Sequence, residues 1–323
     1  LHSFPTRRSS DLLTSPHGGV ATRPQLENAL AQAGFTGIFE AAPGRGRYEV
    51  LGARKPATSA SHQSPGRRYR PADKRELMRL LHEEQIDPAR IDVSHITDMS
   101  NLFSWCDHLT DTDALANWDV SAVTNMDAMF HGCLHLRSTY GLSDWHMSAV
   151  QSTRSMFEEC LRLSDLDGLR AWDVSSLHDL EGMFLRCAAL QEVSALSGWQ
   201  MHAARNLKVM FMYCGELRDL EGLRNWDPST VTHLRKMFCA CRQLNDLDAL
   251  RDWDLSAAQD LHGMFADCSA LKSVAALRHW NTGQVTDLDQ IFNGCPAITD
   301  LSSLKDWHIA DSAALRAALH LNV

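Results

Sequence analysis

Cys160-Leu161-Arg162-Leu163-Ser164-Asp165-Leu166-Asp167-Gly168-Leu169-Arg170-Ala171-Trp172 reads C-x2-L-x2-L-x2-L-x2-W, and the same string returns at Cys241, Leu244, Leu247, Leu250 and Trp253. Tryptophan recurs every 27 residues at Trp118, Trp145, Trp172, Trp199, Trp226, Trp253, Trp280 and Trp307. Phenylalanine keeps the same interval from Phe103 to Phe292, and cysteine from Cys106 to Cys295. A fixed period over eight copies, without insertion or deletion, means one small unit stacked on itself, a solenoid. The fold class that follows is an α/β repeat solenoid of eight 27-residue units occupying residues 91–323.

Within a unit the spacing changes. Met126, Met129, Phe130 and Cys133 fall at i, i+3, i+4 and i+7, the interval of one helical face. Thr124 stands where an N-cap would, with Asp127 three residues on, and the serines at 94, 121, 148, 175, 229 and 256 turn the chain into that helix. After the cysteine, Leu163, Leu166, Leu169 and Trp172 come every third residue, which a helix would rotate off one face. Asp165-Leu166-Asp167 alternates polar and apolar as a strand does. Each unit is therefore expected to hold a short helix opposite a short parallel strand near that leucine. Strands stack more closely than helices, so the strands should lie on the concave side.

Ahead of the repeats the chain changes character. Residues 73–90 form an amphipathic helix with Leu77, Leu80 and Leu81 on one face, a natural cap over the first unit. Residues 56–72, rich in Ser, Pro, Gly, Arg and His, read as a flexible linker. Residues 13–55 read as a small α/β fragment: a helix around Leu26, Leu30 and Ala33, then a hairpin. The run from Leu26 to Pro56 resembles the last helix and hairpin of a class I AdoMet-dependent methyltransferase, without that family's upstream cofactor loop. Residues 1–12, LHSFPTRRSSDL, resemble a translated sequencing adapter and are set aside as an artefact. No signal peptide is visible, and the true N-terminus is expected to lie upstream.

Charge is divided unevenly. Residues 1–90 carry 14 Lys/Arg against 9 Asp/Glu, and residues 91–323 carry 17 against 31. An acidic solenoid is a poor partner for phosphate backbones, so nucleic acid is not expected. No apolar run approaches the ~20 residues of a membrane helix. Eight of the nine cysteines follow the repeat, which marks them as small buried core residues and not a disulfide plan. Cys239 and Cys241 have no second pair at zinc-finger spacing. The sixteen histidines fall off-register, and no nucleophile–base pair recurs, so no catalytic residue, metal ligand or cofactor is assigned.

The columns with functional potential flank the expected strand. Asp165 and Asp167, Asp219 and Glu221, and Asp246 and Asp248 lie five and seven residues after their cysteines, and the last four bring carboxylates together on adjacent coils. Like charges ~5 Å apart favour a cationic partner, so these six form the candidate partner-binding set. The alternative is that Arg170, Arg224, Arg251, Arg278 and Lys305, a parallel column, neutralise them. Small residues at 141, 168, 195, 222, 249 and 276 are expected to allow close backbone packing.

The segments IDVSHITDMSNLF (residues 91–103) and WDVSAVTNMDAMFHGC (residues 118–133) resemble the BspA-like leucine-rich-repeat family of bacterial surface proteins, and the resemblance extends over residues 73 to about 315. Trp199-Gln200-Met201-His202, Pro228 and Trp280-Asn281-Thr282-Gly283 depart from its pattern. The resemblance implies a non-enzymatic protein-binding module at the cell surface or secreted, adhering to host matrix or other cells through the concave face. The rivals are an intracellular interaction scaffold and a truncated methyltransferase with an appended repeat domain.

Overall fold

The computed structural model describes residues 68–305 and 307. The chain divides into two compact units, Leu1–Gly66 and Arg67–Val323. The expectations for residues 1–12 and 13–55, and for all but the end of 56–72, lie outside the described residues, as does the end of the last repeat.

The described unit is a stack of 27-residue rungs around one continuous core. Met126, Met129, Phe130, Cys133 and Leu136 are all fully buried, and so are their counterparts Met156, Phe157, Cys160 and Leu163 one rung on. Phe rings stack nearly parallel, 5.4–5.7 Å apart in the runs Phe103–Phe130–Phe157–Phe184 and Phe211–Phe238–Phe265–Phe292. Trp rings stack 6.1–6.4 Å apart from Trp145 to Trp307. From Trp145 to Trp307 each indole Nε1–H of the column donates to a leucine carbonyl one rung back, as Trp145 does to Leu115 at 3.1 Å and Trp199 to Leu169 at 3.0 Å, while Trp118 donates to the Pro88 carbonyl at 2.9 Å. An indole can be wholly buried here because its one polar atom is paired.

The local conformations differ from expectation in two respects. The Met-x2-Met-Phe-x2-Cys segment is not a helix. In the unit at 124–133, Ala128 and Gly132 have φ of 53° and 69°, and every rung repeats two such left-handed residues four apart. Met129 N–H donates to Met126 carbonyl at 3.2 Å and Cys133 N–H to Phe130 carbonyl at 3.1 Å, so the segment is a chain of β-turns, each with its left-handed residue third. The alternate N–H groups of Met126, Ala128, Phe130 and Gly132 leave the rung and donate to the carbonyls of residues 152, 154, 156 and 158 at 2.7–3.0 Å. A helix would consume those donors internally. It would also need neighbours ~8–10 Å away, and the phenylalanine columns stand much closer. A chain of turns buries the same i, i+3, i+4, i+7 set while keeping strand-like spacing between rungs.

The strand-like pairing lies where the helix was expected. Parallel bridges run unbroken from Asp98 through Asn125, Ser152, Asp179, Asn206, His233 and Asp260 to Asp287. Near the second leucine the chain instead makes one 3₁₀ turn per rung, as at Asp167–Leu169, Glu221–Leu223 and Asp248–Leu250. Among the described residues two parallel bridges occur on that side, Ser138 with Asp165 and Glu192 with Asp219. The every-third-residue leucines that argued against an α-helix are the repeat of a 3₁₀ turn.

The small residues sit in these 3₁₀ turns. A Cβ on Gly222 would stand inside the carbonyl of Val193 on the rung before, 2.5 Å from its carbon, and Gly141 and Gly168 face the carbonyls of Thr112 and Thr139 in the same way. By the same offset Ala195, Ala249 and Ala276 follow Leu166, Leu220 and Leu247. Glycine thus follows a β-branched residue and alanine follows leucine, with Ser303 after Val274 as the departure.

At the N-terminal end α1 (Lys74–Met78) opens on Asp73, whose carboxylate accepts the Glu76 N–H at 2.9 Å, and a π-helical turn, Arg79–Glu83, follows. Leu77 and Leu80 are buried against the first rung. Lys74 Nζ donates to Asp98 at 3.1 Å, His82 Nε2 lies 2.6 Å from the Leu102 carbonyl, and Tyr69 pairs with Ile91 in a parallel bridge.

Candidate binding surface

The six acidic residues singled out from the sequence come together on the 3₁₀ side of the stack. They do not flank the bridge ladder, which runs along the Met/Phe/Cys segments. Asp165 is half-buried and the other five are exposed. The first acid of each pair closes its own turn: Asp165, Asp219 and Asp246 accept the N–H of Asp167, Glu221 and Asp248 at 2.9, 2.8 and 2.7 Å. Asp111, Glu192 and Asp300 do the same for Asp113, Ser194 and Ser302. The 3₁₀ turn begins with unpaired N–H groups, and an acid two residues earlier satisfies one of them.

The second acid of each pair meets an arginine three residues on. Arg170 reaches Asp167 at 2.8 Å, Arg251 reaches Asp248 at 2.6 Å, and Arg224 grips Glu221 through two nitrogens at 2.7 and 2.5 Å. The Arg224 hydrogen bond holds the Glu221 carboxyl below its ordinary range and raises the guanidinium in return. Arg224 also reaches forward to the Asp248 carbonyl at 3.3 Å. The arginine column therefore does neutralise the acids in part. These pairs are solvent-exposed, contribute little to stability, and are readily exchanged for an incoming cation. A depression of about 470 Å³ opens on the same side, with Asp246, Asp248, Arg251, Lys272 and Arg278 on its walls.

The ladder side carries columns that sequence reasoning passed over. Residues two beyond each bridge position tie rungs together: Lys208 to Glu181 at 3.0 Å, Arg154 to Asp179 at 3.7 Å and to Glu181 at 3.5 Å, and Arg235 to Asp260 at 3.8 Å and Asp287 at 3.4 Å. Burial pushes the Asp179 carboxyl up, while Lys208 and Asn206 hydrogen bonds bring Glu181 down against its own burial. The register that would have shown these columns was present in the 27-residue period. Their residue types vary from rung to rung, so no motif advertises them.

The cysteines are free and buried. Each ladder thiol from Cys133 onward donates to the phenylalanine carbonyl one rung back, as Cys187 does to Phe157 at 3.1 Å. Burial pushes Cys133 and Cys214 up to about 12 and raises Cys187 well above the ordinary thiol value. A protonated thiol tied to a carbonyl is no nucleophile.

A stack of leucine-lined 27-residue rungs with charged columns on two sides is a leucine-rich-repeat solenoid. This chain belongs to the family described as Mycoplasma protein of unknown function, DUF285, which matches residues 77–189, 138–222 and 205–320. No curated protein matches the chain. Among solved structures it is similar to a leucine-rich-repeat protein of Treponema pallidum, at 16% identity and TM-score 0.30 over 47% of this chain and 72% of that one. It is also similar to a leucine rich cell surface protein of Faecalibacterium prausnitzii, at 16% identity and TM-score 0.30 over 63% and 76%. A leucine-rich-repeat protein of Bacteroides ovatus matches at 14% identity and TM-score 0.27 over 64% and 70%. None of these comparisons supports the methyltransferase likeness of residues 26–56. Among the described residues no helix is long and apolar enough to cross a membrane.

Proposed function

We propose that this chain is a protein-binding repeat module of the surface-adhesion kind, and that its docking surface is the 3₁₀ side bearing Asp165, Asp167, Asp219, Glu221, Asp246 and Asp248. The observation that carries the reading is the alignment of these carboxylates in one column, with Asp219, Glu221, Asp246 and Asp248 on two adjacent coils and the arginine partners held at the surface. A partner with a basic surface can replace each arginine at little cost, because the acids are already oriented by their own turns. The reading is non-catalytic: the cysteine thiols are sealed in the core, and binding here asks for no reacting group.

Charge reversal of Asp219, Glu221, Asp246 and Asp248 should weaken capture of a basic partner, measured first with an immobilised lysine-rich peptide and then with matrix proteins. Reversal of Glu158 and Glu159 on the ladder side serves as the control. Equal losses from both sets would refute the 3₁₀ surface. Surface labelling of intact cells tests the location, and a protein protected from a membrane-impermeant reagent would refute the adhesion reading.

A further inference from the structure

We infer that His262, Asp287 and Asp289 form a site for a divalent transition-metal ion at the C-terminal end of the bridge ladder. One imidazole nitrogen and two carboxylate oxygens there lie within 4.8 Å of one another, close enough for a single ion to touch all three. One nitrogen and two oxygens, with further positions left to water, suit zinc, cobalt or manganese; calcium and magnesium prefer all-oxygen shells.

The positions are fixed by the fold. His262 occupies the column two residues past the bridge residue Asp260, and its N–H is held by the Asp260 carboxylate at 2.9 Å. Asp287 is the bridge residue of the next rung, and Asp289 stands two residues past it in the His262 column. Asp287 divides its two oxygens. Oδ2 faces Arg235 at 3.4 Å, and Oδ1 accepts the Asp289 backbone N–H at 3.0 Å and faces His262 Nδ1 at 3.4 Å. Arg235 so acts as an outer partner that orients the carboxylate, as ligating carboxylates commonly require. Its positive charge also keeps the affinity moderate.

Comparison along the ladder isolates this triad. In the equivalent trios of the rungs just before it, an arginine or lysine stands among the acids: Arg154 with Asp179 and Glu181, Lys208 beside Glu181, and Arg235 with Asp260. The final trio has two acids and a histidine, and Arg235 enters from two rungs back to meet Asp287 at 3.4 Å. A hydrogen bond from His262 to Asp287 accounts for that pair as a tie between rungs, but Asp289 makes no ion pair among the described residues. Its carboxylate is exposed and free to turn toward an ion. Two carboxylates and one imidazole offer a divalent cation two anionic ligands and one nitrogen ligand.

Cobalt(II) titration of the full chain, read by visible absorption, tests the assignment. One equivalent should give a d–d band without the intense near-ultraviolet band of thiolate coordination, which distinguishes this site from the nine cysteines. Asp289→Asn should weaken binding at least ~10-fold without loss of the folded circular-dichroism spectrum. His262→Gln should do the same, and Asp246→Asn on the opposite side should change nothing. Absence of the band, a thiolate band in its place, or unchanged affinity in Asp289→Asn would each overturn the assignment.

Discussion

The pairing of glycine with a β-branched residue, and of alanine with leucine, leads to a prediction about how the rungs fit. In the Gly222 joint an added methyl would enter the Val193 carbonyl and come within 2.9 Å of the Ser194 Cα. Those are backbone atoms, so the rung itself must move. A β-branched side chain crowds its own carbonyl and limits that movement, whereas leucine branches one carbon further out. Two of the three glycine joints carry a parallel bridge, Ser138 with Asp165 and Glu192 with Asp219, and no alanine joint does, which fits a closer approach where the methyl is missing. Overpacking of this kind costs ~1–3 kcal/mol, and removing a glycine from the unfolded chain returns ~0.4–1 kcal/mol. Gly222→Ala should therefore destabilise by about 1–2 kcal/mol, lowering Tm by roughly 2–8 °C for a domain of this size. Val193→Leu combined with Gly222→Ala should recover at least half of that loss, a coupling of the size expected for residues in contact. Urea melts followed by tryptophan fluorescence on the two single variants, the double variant and the parent give the cycle. A stabilising Gly222→Ala, or a double variant whose loss equals the sum of the singles, would show that the pairing in the sequence has no steric basis.

Two other expectations concern the core and the turns. Iodoacetamide should modify Cys160, Cys187, Cys241 and Cys268 more than ~100-fold more slowly in the native protein than in urea at pH 8, since burial keeps the thiols protonated; rapid native labelling of these four would mean that the rungs open freely. Hydrogen bonds from Ser94, Ser121, Ser175 and Ser229 hold Asp92, Asp119, Asp173 and Asp227 below their usual range, so the stability they contribute is full above about pH 4 and is lost as pH falls through the folded values. Thermal melts between pH 2.5 and 6 should show an acid limb that Ser121→Ala combined with Ser175→Ala makes shallower, and an unchanged limb would assign the acid sensitivity elsewhere.

The period, the core columns and the acids of the 3₁₀ side were legible because each is a residue type repeating at a fixed interval. The local conformation was not. Met126, Met129, Phe130 and Cys133 satisfy a helical face and a chain of β-turns equally well, because both bring the third and fourth residues back to one side. The left-handed residues that decide between them could have been seen as glycines at 132, 182, 263 and 294. The same two columns also hold Trp105, Glu159, Val209 and Tyr213, which hide the signal. What forces those residues into a costly conformation is the rung beneath, whose carbonyls take their alternate N–H groups. The acids were expected beside a strand and stand instead at a 3₁₀ turn, since Asp-Leu-Asp alternation describes a 3₁₀ turn closed by its own aspartate as well as it describes a strand. The His262 triad left no trace in the sequence, because its three residues become neighbours only through the stacking of rungs.

The donor direction of the rungs has a consequence for how such a chain can change. Each coil hands its alternate N–H groups forward to the next, while its indole and thiol reach back 30 residues to the coil before, as Trp199 does to Leu169 and Cys187 to Phe157. Both sets of bonds are satisfied together only when the intervening chain is one whole unit. Gain or loss of a full 27-residue copy keeps the backbone donors, indoles and thiols in register with their acceptors, whereas gain or loss of one residue strands a ladder of donors. Length in this protein is therefore quantised, and duplication of a complete rung is the mutation its architecture absorbs most easily.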